Sequence, residues 1–495
     1  MGVVRFPLVI LLGKGVNESS SPHTASIHIL DDDSLLNVFH FYRPSLWGED
    51  QDDDSRLIGG YAGWNRGRWW YGLAHVCRRW RSIILGSASY LDICLVCTSG
   101  TPVSDLLAHS PPLPLVIDCF GEYHDITPED EERTILALTQ RDRVRRVRLR
   151  MPIANLQKVI AAIDDEYPIL EHMVITCRNR DSTVLRFPET LQVPRLRHLL
   201  LEGYALPIGS RLLTTAVGLV TLSLAMVNPS TYFHPNTLLQ CLSFMPQLET
   251  LMFGFVSPVP NRDVERQLMH TPITTRVILP NLYCFMFQGG RTYLEALVHR
   301  ITTPRLEKLH IEFFNQLTFS VPRLVHFMNT TETLKFKSAK FEFFNGRAYS
   351  TVYPRAEEAK TYALFMAVNC WHLDWQVFSM AQIFSLLGQT FSAVEHLTFQ
   401  RRVLSLSPEE HNTVDRIEWH KLLGSFRNVK TIRIDDGLVE ELSRCLQLDD
   451  GELPSELLPE LQEITYSRSG DAGDAFTSFI DARRNESRPV SLVRL

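Results

Sequence analysis

The stretch Val193-Pro194-Arg195-Leu196-Arg197-His198-Leu199-Leu200-Leu201 carries the spacing Leu-x-x-Leu-x-Leu at positions 196, 199 and 201. Leu199 and Leu201 are two residues apart, so they point to the same face of an extended strand. Leu196 packs the turn that leads into this strand, and Pro194 ends the preceding segment and favours an extended chain. The stretch therefore predicts a short strand with one buried face.

The same pattern, with conservative replacements, recurs along the rest of the chain. Its first positions are Val144, Leu170, Leu196, Leu219, Leu248, Leu282, Leu306, Val394, Val429 and Leu461. From 144 to 306 these positions are 26, 26, 23, 29, 34 and 24 residues apart. A motif of this form that returns every roughly 20–29 residues is the signature of leucine-rich repeats.

The segments between the motifs carry helix signals. Thr127-Pro128 reads as an N-cap followed by a proline in the first helical turn, and Pro235 opens another segment with leucines in helical register. A single strand–helix unit cannot bury its apolar face, but a stack of units can. We therefore expect residues 91–494 to form a degenerate leucine-rich-repeat solenoid, open and curved, with a parallel sheet on its concave side.

The repeat register is weaker between about 331 and 393. The segment Thr331-Leu334-Phe336 is a poor match to the motif. The runs Phe341–Phe344 and Tyr362–Val368 are rich in apolar residues and suggest extra strands or an insertion.

The N-terminal part of the chain has a different character. We expect residues 1–27 to be a disordered leader and residues 28–90 to be a small helical module with a long Gly- and Trp-rich loop at 45–68. Three aspartates at 31–33 favour a helix start, and the apolar residues that follow them recur at helical spacing. A second helix is predicted from about Trp69 to Leu85. The fold class is α/β, with this module preceding the solenoid.

Composition and motifs exclude several functional classes. The net charge of −6 argues against a nucleic-acid-binding protein, and no apolar run reaches the ~18 residues of a membrane span. Nine scattered cysteines indicate a reducing compartment, so we expect a cytoplasmic or nuclear protein. No catalytic or phosphate-binding motif is present, and Cys94-x-x-Cys97 lacks the second ligand pair of a zinc site. We expect no enzyme activity, metal or cofactor.

One part of the N-terminal module has a recognisable pattern. The segments Leu35-Leu36-Asn37-Val38-Phe39 and Leu73-Ala74-His75-Val76-Cys77-Arg78-Arg79-Trp80-Arg81-Ser82-Ile83 resemble the F-box-like module of fungal F-box proteins, the second through its L-x-x-V-C-x-x-W-R-x-I spacing. The resemblance implies that the module docks on the Skp-type adaptor of a cullin–RING (SCF-type) ubiquitin ligase while the repeats hold a protein substrate. By the same resemblance, the docking or supporting residues are Leu35, Leu36, Val38, Phe39, Val76 and Trp80. The alternative is a scaffold or recognition solenoid with no ubiquitin role.

The substrate surface of such a solenoid is predicted by strand alternation. Residues that alternate with the buried pair of each motif should face the concave side. Among them we expect the substrate-binding residues to be the basic side chains of Arg146, Arg148, Arg150, Lys308, Lys335 and Lys337. Because arginine binds carboxylate and phosphate through two parallel hydrogen bonds, this surface suits an acidic or phosphorylated segment. The alternative is that these charges only solvate the strand face.

Overall fold

The computed structural model describes residues 29–44, 65–120, 126–177, 185–205, 210–227, 233–256, 272–314, 319–355, 361–402, 414–447, 457–467 and 476–494. The predicted leader and residues 45–64 of the predicted loop lie outside these ranges. The chain divides into a helical unit, which includes residues 29–44 and 69–92, and a repeat unit, which includes residues 65–68 and 93–494.

The helical unit contains α1 (Asp32–Tyr42), α2 (Trp69–Ala74) and α3 (Arg78–Gly86). Asp31 caps α1, because its carboxylate accepts a hydrogen bond from the Ser34 N–H at 2.7 Å. The prediction of one helix from Trp69 to Leu85 is wrong. Instead, α2 ends at Ala74, and Cys77, whose backbone is extended, is the N-cap of the separate helix α3. Periodicity did not reveal the break because the apolar residues stay three or four apart on both sides of it.

In the described part of the repeat unit, one sheet holds sixteen strands. They are β1 (Leu95–Thr98), β2 (Leu115–Cys119), β3 (Val144–Met151), β4 (His172–Cys177), β5 (His198–Glu202), β6 (Thr221–Val227), β7 (Thr250–Phe255), β8 (Cys284–Gly289), β9 (Lys308–Phe313), β10 (Ser338–Phe344), β11 (Arg347–Tyr353), β12 (Leu364–Val368), β13 (His396–Arg402), β14 (Thr431–Ile434), β15 (Glu463–Tyr466) and β16 (Ser491–Arg494). Their order in the sheet is 1-2-3-4-5-6-7-8-9-12-11-10-13-14-15-16.

Helices connect most of these strands. They are α4 (Val103–His109), α5 (Pro128–Leu138), α6 (Ile153–Ala161), α7 (Arg211–Thr215), α8 (Pro235–Leu242), α9 (Arg291–Val298), α10 (Pro322–Thr330), α11 (Leu373–Leu386), α12 (Arg416–Leu423), α13 (Val439–Leu446) and α14 (Thr477–Asn485). The helix start predicted at Thr127 is confirmed, since Thr127 and Asp130 form a reciprocal capping box at the start of α5.

The predicted repeat register is confirmed by the burial of three motif leucines. Leu199, Leu251 and Leu309 are fully or almost fully buried. Burying each such leucine stabilises the fold by about 1.5–3 kcal/mol. On α9, Tyr293 lies 5.6 Å from Phe253 of β7 and 6.1 Å from Phe287 of β8, measured between ring centroids, so the helices cover this face of the sheet.

The sheet is open and bends toward its other face. Neighbouring strands are about 4.8 Å apart, whereas helices are about 10 Å across, so the helix side of the stack is the longer one. The predicted open, curved solenoid is confirmed by this strand order. The face of the sheet that the helices do not cover is called the open strand face below.

The described strands of the sheet pair in parallel except at β11, which lies in the segment 331–393 where the sequence suggests extra strands or an insertion. β12 pairs in parallel with β9, and β10 pairs in parallel with β13. β11 lies between β10 and β12 and runs antiparallel to both. The turn from β10 to β11 places Gly346 at φ +90°, a conformation that favours glycine.

Candidate partner-binding surface

The open strand face carries side chains in rows, because paired strands place alternate residues side by side. From β3 to β9 the first row is Arg146, His172, His198, Thr221, Thr250, Cys284 and Lys308. The central row is Arg148, Val174, Leu200, Ser223, Met252, Met286 and His310. The third row contains Arg150, Thr176 and Glu202 on β3–β5, and Gly254, Gln288 and Glu312 on β7–β9.

The central row is apolar over much of its length. Val174 and Met286 are each 9% exposed, and Leu200 and Met252 are half-buried. On β9, His310 stacks on Phe365 of β12 with ring centroids 4.2 Å apart. Burial lowers the pKa of His310 to about 4, so its ring is neutral at pH 7. This row can therefore contact apolar side chains of a partner.

The three arginines of β3 that were predicted to bind substrate differ in their exposure. Arg146 and Arg150 are half-buried on the open strand face, but Arg148 is only 4% exposed. Its guanidinium carbon lies 3.8 Å from the centroid of the Phe120 ring, and one of its nitrogens lies 4.0 Å from a carboxylate oxygen of Asp118. Arg148 is therefore held inside the fold, and the prediction that it faces a ligand is wrong.

The predicted lysines are also separated. Lys308 is half-buried in the first row, as strand alternation requires. Lys335 and Lys337 lie in the connection before β10, so the expectation that they lie on a strand is wrong. Lys337 forms an ion pair with Glu395, which is also 3.1 Å from Lys430. These two bonds lower the pKa of Glu395. Residues 331–336 have apolar residues near the repeat spacing but form no strand, which is why the two lysines were predicted to lie on one.

Histidines also contribute to the open strand face. His172 is buried, and its ring stacks on that of His198, with centroids 4.4 Å apart and planes inclined by 7°. His396 of β13 is half-buried, and its Nδ1 lies 2.8 Å from the Thr431 hydroxyl. The sequence signal for the stacked pair is that 172 and 198 occupy the same position in consecutive repeats.

The helical unit has its own buried and exposed residues. Leu35 and Phe39 are buried, and the half-buried Trp80 meets Phe39 edge-on with ring centroids 4.9 Å apart. Leu36 is half-buried, and Val76 is 57% exposed. The predicted set thus contains both core and surface residues.

Three apolar residues of α1 form an exposed patch. Val38 is 44% exposed, Phe41 88% and Tyr42 62%. They are spaced three and four apart, so they occupy one side of the helix. Of these three residues, only Val38 belongs to the predicted docking set. The sequence signal for the other two is that they are apolar and follow Val38 by three and four positions.

Among the described residues, no group of three or more His, Cys, Asp or Glu side chains is placed to hold a metal ion. Cys94 and Cys97 are buried, and neither forms a disulfide. No helix within the described ranges is both long and apolar enough to cross a membrane.

Comparisons with known proteins found similarity only in structure. No protein-family model and no curated protein matches the sequence. Leucine-rich-repeat-containing protein LegL7 from Legionella pneumophila aligns with 71% of this chain and 94% of its own, at 11% identity and a TM-score of 0.27. TLR13, solved as a TLR13–ssRNA13 complex, aligns with 81% of this chain and 54% of its own, at 13% identity and a TM-score of 0.26. At such TM-scores the fold assignment rests on the strand order of this protein itself.

Proposed function

We propose that this protein is a substrate-recognition adaptor of an SCF-type ubiquitin ligase. In this proposal the helical unit docks on a Skp-type adaptor, and the open strand face holds a protein substrate. The observation that carries the docking half is the exposed patch of Val38, Phe41 and Tyr42 on α1. Clusters of large apolar side chains on a protein surface often mark interaction sites. The patch lies in the segment that resembles the F-box-like module.

The substrate half of the proposal is supported by the rows of the open strand face. On β3 the central row is flanked by two basic residues, Arg146 in the first row and Arg150 in the third. Farther along, it is flanked by Lys308 in the first row and by Glu202 and Glu312 in the third. A partner segment with apolar residues along its middle and charges opposite to these on its two sides would match the rows. Such complementarity favours a correctly oriented partner over others.

The second candidate is a recognition solenoid with no ubiquitin role. It is favoured by the start of α1, where Leu30-Asp31 stands in place of the Leu-Pro that F-box proteins usually have. Asp31 serves as the helix cap there. Under this candidate the apolar patch on α1 binds a different partner, and the open strand face keeps its function.

Co-expression of the full chain with a Skp-type adaptor separates the two candidates. We expect a stable complex, and we expect Val38→Asp with Phe41→Asp to weaken it by a hundredfold or more. Each buried apolar side chain at such an interface contributes about 1.5–3 kcal/mol. Ser82→Asp, an exposed change on α3, is the matched control and should bind like the wild type. If the wild-type protein binds no adaptor, the scaffold candidate replaces this proposal.

A further inference from the structure

The helix α11 is apolar on both of its sides. Its inner side packs on the sheet, since the Phe384 ring lies 5.0 Å from that of Phe341 on β10, measured between centroids. Its outer side carries Trp375, Phe378 and Leu386, which are 50%, 37% and 46% exposed. Their spacing follows the helical period, so they form one stripe along the helix. A helix that is hydrophobic all round is normally covered on every side, so the outer stripe has the composition of a contact surface.

The apolar surface extends beyond this helix at two points. Trp371, which comes just before α11, is 76% exposed, and its ring lies beside the turn from β10 to β11, where a Cβ added at Gly346 would be 3.6 Å from it. On α12, which packs against α11, Ile417 is 59% exposed. The exposed apolar residues of this region are called the α11 patch, and they are Trp371, Trp375, Phe378, Leu386 and Ile417.

The α11 patch carries little charge. Asp374 is the only charged residue within the fourteen residues of α11, whereas three of the eight residues of α13 are charged. On α12, the ammonium group of Lys421 lies 2.7 Å from the carboxylate of Glu418, so these two charges offset each other. Because charged groups select and orient charged partners, a surface of this kind favours an apolar partner.

The size of the α11 patch fits the core of a stable interface. A whole aromatic side chain contributes about 150–250 Å², so its three aromatic residues expose roughly 250–400 Å². Two such patches placed face to face would bury roughly 500–800 Å² through these residues alone, and a stable interface buries about 1,200–2,000 Å² in total. Leu386, Ile417 and the polar residues around them add to this area.

We propose that the α11 patch binds the α11 patch of a second copy of this chain, so that the protein forms a two-fold symmetric dimer. In such a dimer the same surface meets itself, so an apolar surface with little charge is self-complementary, whereas a strongly charged one would face like charges. Interfaces between identical subunits are also more apolar than those between different proteins. The open strand face lies on the other side of the sheet, so this inference does not depend on the proposed function.

Sedimentation velocity of the full chain over a hundredfold range of concentration tests the proposal. We expect the wild type to shift from monomer to dimer as its concentration rises. Raising the salt concentration should not dissociate the dimer, because apolar contacts rather than ion pairs hold it together. The measurement uses this chain alone, so failure of adaptor docking does not affect the result.

Variants locate the interface. Trp375→Glu with Phe378→Glu places two charges in each patch and should raise the Kd of the dimer at least a hundredfold. Trp371→Ser changes the most exposed residue of the patch and should raise it at least tenfold while leaving the fold intact, which thermal unfolding checks. Phe244→Glu is the matched control, because Phe244 is a 53% exposed aromatic residue outside the patch.

Hydroxyl-radical footprinting of the wild type locates the same interface without a mutation. We expect oxidation of Trp371 and Trp375 to fall as the dimer forms, while oxidation of Phe244 stays constant. A wild type that remains monomeric over the whole range would overturn the proposal. A dimer that Trp371→Ser does not weaken, and in which both tryptophans stay as reactive as in the monomer, would place the contact elsewhere and overturn it as well.

Discussion

Arg148 and Asp118 form a buried ion pair between β3 and β2, with the Arg148 side chain 4% exposed and that of Asp118 10% exposed. Burial raises the pKa of Asp118, while Arg148 and a backbone hydrogen bond at Phe120 lower it. Removing one member of a buried pair leaves the other charge without its partner, whereas replacing both is often tolerated. A comparison of the single variants with the double variant therefore measures how strongly this ion pair couples β2 to β3.

We therefore expect Arg148→Met to reduce the free energy of unfolding by about 3–5 kcal/mol. Adding Asp118→Leu to this variant should recover most of the loss, because no buried charge remains. Urea unfolding of the two single variants, the double variant and the wild type measures the coupling. A double variant that is as unstable as the sum of its parts would show that the two side chains do not interact.

A second prediction concerns pH. The pKa values of His172 and His198 in the folded protein, about 2 and about 4, lie below the ordinary histidine value of 6.5. Below about pH 6.5 the unfolded chain binds more protons than the folded one, so the free energy of unfolding falls as pH falls. Each histidine contributes a slope of up to about 1.4 kcal/mol per pH unit, down to its folded pKa.

Chemical unfolding between pH 7.5 and 4.5 measures this slope. His172→Gln and His198→Gln should each flatten it relative to the wild type below about pH 6.5, where the unfolded histidines take up protons. His109 at the end of α4 is exposed, so His109→Gln is the matched control. Equal slopes in all four proteins would mean that the stacked pair is protonated in the folded state.

A third prediction compares two adjacent leucines. Leu199 is fully buried on the helix side of β5, whereas Leu200 is half-buried on the open strand face. An unpaired buried carboxylate costs several kcal/mol, which is comparable to the whole stability of a domain. Leu199→Asp should therefore abolish soluble expression, as should Leu251→Asp and Leu309→Asp.

Leu200→Asp serves as the control for these variants and should remain soluble. The measurement is the soluble fraction after expression, followed by thermal unfolding of what is recovered. If Leu200→Asp is as insoluble as Leu199→Asp, the two faces of β5 do not differ in burial in the way that the structure indicates.

A fourth prediction separates packing from docking in the helical unit. Phe39 is buried against Trp80, so Phe39→Ala should cost about 3–5 kcal/mol of stability. Phe41 is exposed, so Phe41→Ala should change stability by less than about 0.5 kcal/mol. Thermal unfolding of the helical unit within the full chain tests both. A large loss of stability in Phe41→Ala would place that side chain in a packed contact.

Parts of the fold that depend on local spacing were predicted correctly. The strand at Leu199 and Leu201 and the helix start at Thr127 follow from the alternation of strand side chains and from the capping of helix N–H groups. The candidate site was predicted only in part. Alternation placed Arg146 on the open strand face, but it also placed Arg148 there, because it carries no information about a covering ring such as Phe120.

The amino-acid sequence by itself determined that this chain forms stacked strand–helix repeats, because the spacing of apolar residues selects which face each element buries. Tertiary structure alone decided the direction of β11, since a strand's side-chain alternation is the same whether its neighbour is parallel or antiparallel. It also decided that His172 and His198 stack. They are 26 residues apart in the sequence, and only the pairing of β4 with β5 brings their rings together.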